Sequence, residues 1–218
     1  MPLANFQVAF ETALAGPTAV YEELATTRTF SKAGDFAIHD LCVLEGVLSR
    51  VWQIWCDFCR SALIESCMGT TDISGNVIAA LPGAASEFHV SAAAIRAKKS
   101  QTVSWTHTNS VLRHEPTWGD VDSLLDIIAG ISPTNSVQLN GMCTMASKGA
   151  KFLQLARNAA AHDNVQNRNE LLLNSSAYST YPIAHSCQAL FWTEPTSQQY
   201  LISFALEQLR DASVFLVI

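Results

Sequence analysis

The sequence predicts an all-α protein, and three stretches carry that prediction. Leu41, Leu44, Leu48, Val51, Trp55, Phe58 and Ala62 recur at spacings of three and four, which is one face of a helix. Met142, Met145, Gly149, Phe152, Ala156 and Ala159 show helical spacing again. After Pro195, a last helix puts Leu201, Phe204, Leu209 and Ala212 inward.

Taken in order, Gly16-Pro17 opens a short helix, with Pro at its first position and Glu22-Glu23 following. Thr26 to Asp35 reads as a polar loop. The strongest helix covers roughly residues 36–68; Val43, Val47 and Ile54 add a second apolar stripe, so it is buried on more than one side. Gly69 is its stop. Residues 69–86, with three Gly and one Pro, read as a surface loop. Ala92 to Lys99 forms a short helix whose Arg96, Lys98 and Lys99 suit a C-terminal dipole. The stretch 100–119 is polar and takes no assignment. Asp120 caps a helix through Ile128 that Gly130 ends, Ser132 to Gly141 is a loop, and residues 163–182 are irregular.

Length and composition narrow the class. The 218 residues suit a single domain over 1–218 with a core large enough to need no disulfide or metal. Charged residues are 15% of the chain, against about 25% usually, which suggests surface covered by self-association. Hydrophobic residues at 49% exclude a disordered chain. No run approaches the roughly 18 apolar residues of a membrane helix, and the first basic residue is Arg28, so neither a span nor a signal peptide is expected. Cys42, Cys56, Cys59, Cys67, Cys143 and Cys187 are read as reduced, buried thiols in a cytoplasmic protein. The net charge is −6, yet residues 96–168 hold eight Lys/Arg against five Asp/Glu. A whole-surface nucleic-acid binder is disfavoured, and a local basic cleft is not.

Within that basic stretch lies Lys148-Gly-Ala-Lys151-Phe-Leu-Gln-Leu-Ala-Arg157-Asn158-Ala-Ala-Ala-His162-Asp163-Asn164. It joins a permanent cation able to fork a phosphate, an amide, and an imidazole able to move a proton near neutral pH. Asn158 and His162 are four apart and share a helix face. Arg157 and His162 are five apart, about 140° around the helix. One helix closes them on one phosphate only if it breaks near His162; otherwise a second copy must complete the site.

Arg157-Asn158-x-x-x-His162, with Leu153, Leu155, Ala160 and Ala161 around it, resembles the R-polar-x-x-x-H signature of the HEPN superfamily, in particular a group linked to RiboL-PSP. The resemblance covers residues 36–215 or so. It implies a helical bundle of four to five core helices with extra short helices and long loops. It further implies a metal-independent endoribonuclease of toxin or defence type, a homodimer with its cleft at the interface, and an antitoxin or defence-system partner. Carried over by residue, Arg157 would bind the scissile phosphate, His162 would transfer a proton at the 2′-hydroxyl or the leaving oxygen, and Asn158 would orient His162 or bond the phosphate. Lys148, Lys151 and Arg168 would contact RNA. No cofactor and no metal are expected. HEPN toxins paired with nucleotidyltransferases often carry Tyr two positions after the His; Asn164 stands there, which puts tyrosine nucleotidylation in doubt. The alternative from another class is a non-catalytic HEPN module binding RNA, a nucleotide or a partner protein.

Other signals weigh less. Cys56-x-x-Cys59 has zinc-like spacing without a second pair and reads as packed thiols. His39-Asp40 and His162-Asp163 are similar to the pairs of metal-dependent HD-type phosphohydrolases, a minor alternative lacking the upstream His. His107 and His114 read as surface residues and His185 as structural. The five Trp read as core or interface anchors.

Overall fold

A computed structural model describes residues 1–162 and 164–218. The chain is all-α. Its helices are α1 (Leu3–Thr27), α2 (Ile38–Met68), α3 (Glu87–Lys98), α4 (Val121–Ile131), α5 (Ser136–His162), α6 (Val165–Leu173) and α7 (Leu201–Val217). Strands β1 (Thr70–Thr71) and β2 (Val77–Ile78) form one antiparallel hairpin, with Thr70 opposite Ile78. None of the described helices is long and apolar enough to cross a membrane.

Several elements depart from the sequence reading. Helix α1 begins at Leu3, and Pro17 lies inside it rather than opening it. The buried Leu3, Phe10, Leu14 and Tyr21 share one face, and their burial offsets the hydrogen bond that Pro17 cannot donate. Helix α3 starts five residues earlier than expected, after Ser86. Helix α4 runs through Gly130 and stops at Ser132, whose φ of 55° is left-handed. Gly130 serves packing instead: a Cβ there would lie 2.7 Å from that of Ala97. Helix α5 begins at Ser136, inside the expected loop. Helix α6 occupies part of the stretch read as irregular. Gly69 does stop α2, with φ of 94° and its N–H on the Glu65 carbonyl.

The chain divides into two compact units. The first comprises Met1–Glu11, Trp55–Ser147 and Arg210–Ile218. Its core stacks Phe10 on Phe58 at 4.6 Å between ring centres, and the buried Trp55 donates its indole N–H to the Gly119 carbonyl. Gly141 admits the ring of Phe215, where any Cβ would collide. Glu115 anchors the irregular stretch before α4. Arg60 grips its carboxylate through two nitrogens at 2.9 and 2.8 Å, and Ser91 and Trp118 also donate to it. Cys59, Cys67 and Cys143 are buried thiols here, as the packed reading of Cys56-x-x-Cys59 requires, while Cys56 is half-buried. Trp105 lies over Gly83, and His107 is half-buried against His89 and Phe88, not a surface residue.

The second unit comprises Thr12–Ile54 and Lys148–Leu209. Phe191 is its hub, with Phe30, Tyr200, Phe36 and Tyr21 rings at 4.4 to 5.9 Å. It sits on a 3₁₀ turn, Ser186–Phe191, that the periodicity did not reveal. The buried Gln188 satisfies itself by accepting from the Ala184 and His185 amides and donating to the Ala33 carbonyl. The turn 194–199 closes on itself: the Glu194 carboxylate accepts from the Thr196 and Ser197 amides, and the Glu194 N–H donates to the Gln199 carbonyl. Gly149 lets α5 meet α7 backbone to backbone, since a Cβ there would lie 2.9 Å from Ala205 Cα. Cys187 is buried and Cys42 is exposed, against the expectation that every thiol is buried.

Burial pushes the Glu115 carboxyl up, but hydrogen bonds from Arg60, Ser91 and Trp118 outweigh it and hold the group below the ordinary value of 4.5. A depressed folded-state pKa contributes stability that is complete above the unfolded value and is lost as pH falls through the folded one. Thermal unfolding followed from about pH 6 to about pH 3 should therefore show a falling Tm, and Glu115→Gln should lower Tm at the high end and flatten the fall. A slope unchanged in Glu115→Gln would remove this carboxylate from the account.

Candidate functional site

Helix α5 carries the motif, and its buried side is apolar. Phe152, Leu153, Leu155, Ala156 and Ala159 are buried, and these hold the helix while leaving its other side to polar groups. The helix stays regular through His162, its last residue, so it does not break where a one-helix site would need it to. Arg157 and His162 therefore remain about 140° apart around the axis.

Four of the expected residues line one face. Lys148, Lys151, Asn158 and His162 follow at three, seven and four residues, which keeps them within roughly 80° of arc and spreads them over about 21 Å of helix. Lys148, Lys151 and His162 are exposed and Asn158 is half-buried. Arg157 lies off this face, but its guanidinium reaches sideways and donates to the Asn158 Oδ1 at 3.2 Å. The structure thus joins Arg157 to Asn158 directly and aligns His162 with Asn158.

Arg168 is placed differently. It sits on α6, half-buried, and its guanidinium donates to the Ile183 carbonyl at 2.9 Å, pinning an irregular segment. Asn164 is the N-cap of α6, with its side-chain oxygen accepting from the Asn167 N–H at 2.9 Å. Asn164 thus has a structural task. Asn167 escaped the sequence reading. Its amide nitrogen reaches back to the Asn158 carbonyl at 3.4 Å, and the signal for it was the Asn164-x-x-Asn167 cap spacing.

Of the two His-Asp pairs, the geometry of His39-Asp40 is described. Asp40 is buried and engaged with Arg28 and with the Ala37 N–H at the start of α2, while His39 is exposed. Asp163 lies outside the described residues. Among the described residues, His39, Asp40 and His162 join no group of three metal-ligating side chains. No family model, curated protein or solved structure matches the chain.

The cap sets how α6 leaves the site. Asn164→Ala should lower stability by about 1 kcal/mol, read as a reduced Tm. Asn164→Asp, which keeps the acceptor, should restore it. Equal stability of Asn164→Ala and the parent would mean that the cap bond contributes nothing.

Proposed function

We propose that this chain is a HEPN-type endoribonuclease that cleaves RNA without a metal ion and works as a homodimer. The observation that carries the reading is the Arg157-Asn158 pair and His162 at the exposed end of one unbroken helix. The chemistry suits transesterification. The 2′-oxygen attacks the neighbouring phosphorus, its proton passes to a base, and the bond to the 5′-oxygen breaks as that oxygen gains a proton. A 2′,3′-cyclic phosphate and a 5′-hydroxyl result. His162 serves the proton transfers. Arg157, held by Asn158, meets the phosphate charge as it builds.

Helical geometry favours two copies. The Cα atoms of Arg157 and His162 lie about 140° apart around α5, and a second α5 would bring its His162 to the first copy's Arg157 across the interface. The partner of such a nuclease would be an antitoxin or another component of a defence system.

His162→Ala should abolish cleavage of a mixed RNA panel while leaving RNA affinity near that of the parent, a loss of about 10² to 10⁴-fold. Arg157→Ala should reduce both binding and cleavage. Mixing the two inactive proteins should restore part of the activity, because a mixed dimer holds one site with both groups. A 2′-deoxy nucleotide at the scissile position should block the reaction, and excess chelator, applied well below the unfolding temperature, should not. Cleavage that needs added Mn²⁺ would point to the phosphohydrolase chemistry. RNA binding without cleavage in the parent, unchanged by His162→Ala, would make this a binding module.

Lys148 and Lys151 share the His162 face, so the same strip should track the RNA backbone. Replacing both with Ala should reduce the salt dependence of single-strand binding by roughly 0.7 in slope for each phosphate left without its lysine. An unchanged slope would place the RNA elsewhere.

A further inference from the structure

Outside the α5 site, one cluster in the second unit gathers three kinds of metal-binding atom. Glu45 comes from α2, and His185 and Cys187 from the start of the 3₁₀ turn that carries Phe191. One ligand atom from each lies within 4.8 Å of the other two. The Glu45 Oε1 stands 3.1 Å from the His185 Nε2. We propose that Glu45, His185 and Cys187 form a site for a zinc-class divalent ion with three protein ligands and one water.

The donor set decides the class of ion. A thiolate and an imidazole select a borderline-soft transition metal over Mg²⁺ or Ca²⁺, and a carboxylate is an accepted third ligand of zinc. Bonds of about 2.0 to 2.3 Å place tetrahedral ligands roughly 3.3 to 3.8 Å apart, so side-chain shifts of about 1 Å would close the three atoms on one ion. Charge balances as well. One thiolate and one carboxylate neutralise a divalent ion, and the imidazole stays neutral. Exposure is graded in the right sense, because Cys187 is buried while Glu45 and His185 remain 44% and 33% exposed. That leaves the fourth position open to water.

Binding has two local costs. The His185 Nδ1 now accepts the Cys187 backbone N–H at 3.3 Å, and coordination through Nε2 moves the ring proton to Nδ1 and gives up that long bond. The Cys187 S–H proton leaves to water as the sulfur–metal bond forms. Burial pushes that thiol up to about 12, so the ion must displace a tightly held proton. The ion would tie the 3₁₀ turn to α2, a stabilising role separate from RNA cleavage and independent of the proposed nuclease.

The test titrates Co²⁺ into chelator-stripped full-length protein and reads absorption, then repeats with Zn²⁺ and reads Tm. The parent should give a near-ultraviolet thiolate-to-metal band at one ion per chain, and Zn²⁺ should bleach it and raise Tm. Cys187→Ser should lose the band and the Tm shift. Glu45→Gln, altered at an exposed side chain, should weaken binding about tenfold or more without changing the metal-free Tm. Cys42→Ser should behave as the parent. The proposal is overturned if the parent gives no band, if the band survives in Cys187→Ser, or if Glu45→Gln binds as tightly as the parent. Should Cys187→Ser not fold, the Glu45→Gln affinity decides alone.

Discussion

The candidate site depends on the place where Gly149 lets α5 touch α7. Two helices normally keep 8 to 10 Å between axes because side chains stand between them. Here a Cβ at 149 would lie 2.9 Å from the Ala205 Cα and 3.1 Å from its carbonyl oxygen, so the absence of a side chain is what permits the approach. The Gln208 amide oxygen completes the contact by accepting the Gly149 N–H at 2.7 Å. From that point α5 has one buried side and one exposed side, and the polar groups of the motif fall on the exposed side or beside it. The helix must then stay regular, because its buried residues are spaced for 3.6 residues per turn. On a regular helix residues five apart start about 140° from one another, and the Arg157 guanidinium narrows that gap by reaching to Asn158. The same packing therefore keeps the helix straight through the motif and leaves Lys148, Lys151 and His162 at its surface.

Around this helix the polar groups are arranged to hold one another rather than to close on a ligand. Asn158 receives Arg157 at its side-chain oxygen and Asn167 at its main-chain oxygen, so it links α5 to the start of α6. His162 ends the helix with its ring exposed. The arrangement engages the guanidinium and leaves the imidazole exposed, which is the division of labour that the proposed cleavage would require.

Much of this was readable in the sequence where periodicity was strong. Helix α2 and the later two-thirds of α5 follow from apolar spacing alone, and Asp120 and Gly69 mark ends where the structure has them. The misses have physical causes. Pro17 reads as a helix start, yet tertiary burial of Leu3, Phe10, Leu14 and Tyr21 carries α1 through it. Gly130 reads as a stop because glycine usually is one, but here it makes room for Ala97. Helix α6 buries only Leu171, so it has no apolar stripe to betray it, and only the Asn164 cap announces it. The motif residues were legible because they are close in sequence. The Glu45–His185–Cys187 cluster was not, because folding alone brings α2 to the turn at 186.

The closed turn at 194–199 has a further consequence. Glu194 satisfies the amides of Thr196 and Ser197, and its own N–H is met by Gln199, so the turn supplies its own polar partners. Its residues from Pro195 to Gln199 are all exposed. Immediately before it, Phe191 and Trp192 are buried and admit no change of length. The chain thus offers a graft point next to an immovable core segment. A short flexible peptide or a fluorescent label inserted between Pro195 and Gln198 would give up the turn's own bonds but start from the Thr193–Tyr200 pairing beneath it, because the cost of lengthening a surface loop grows only slowly with its length.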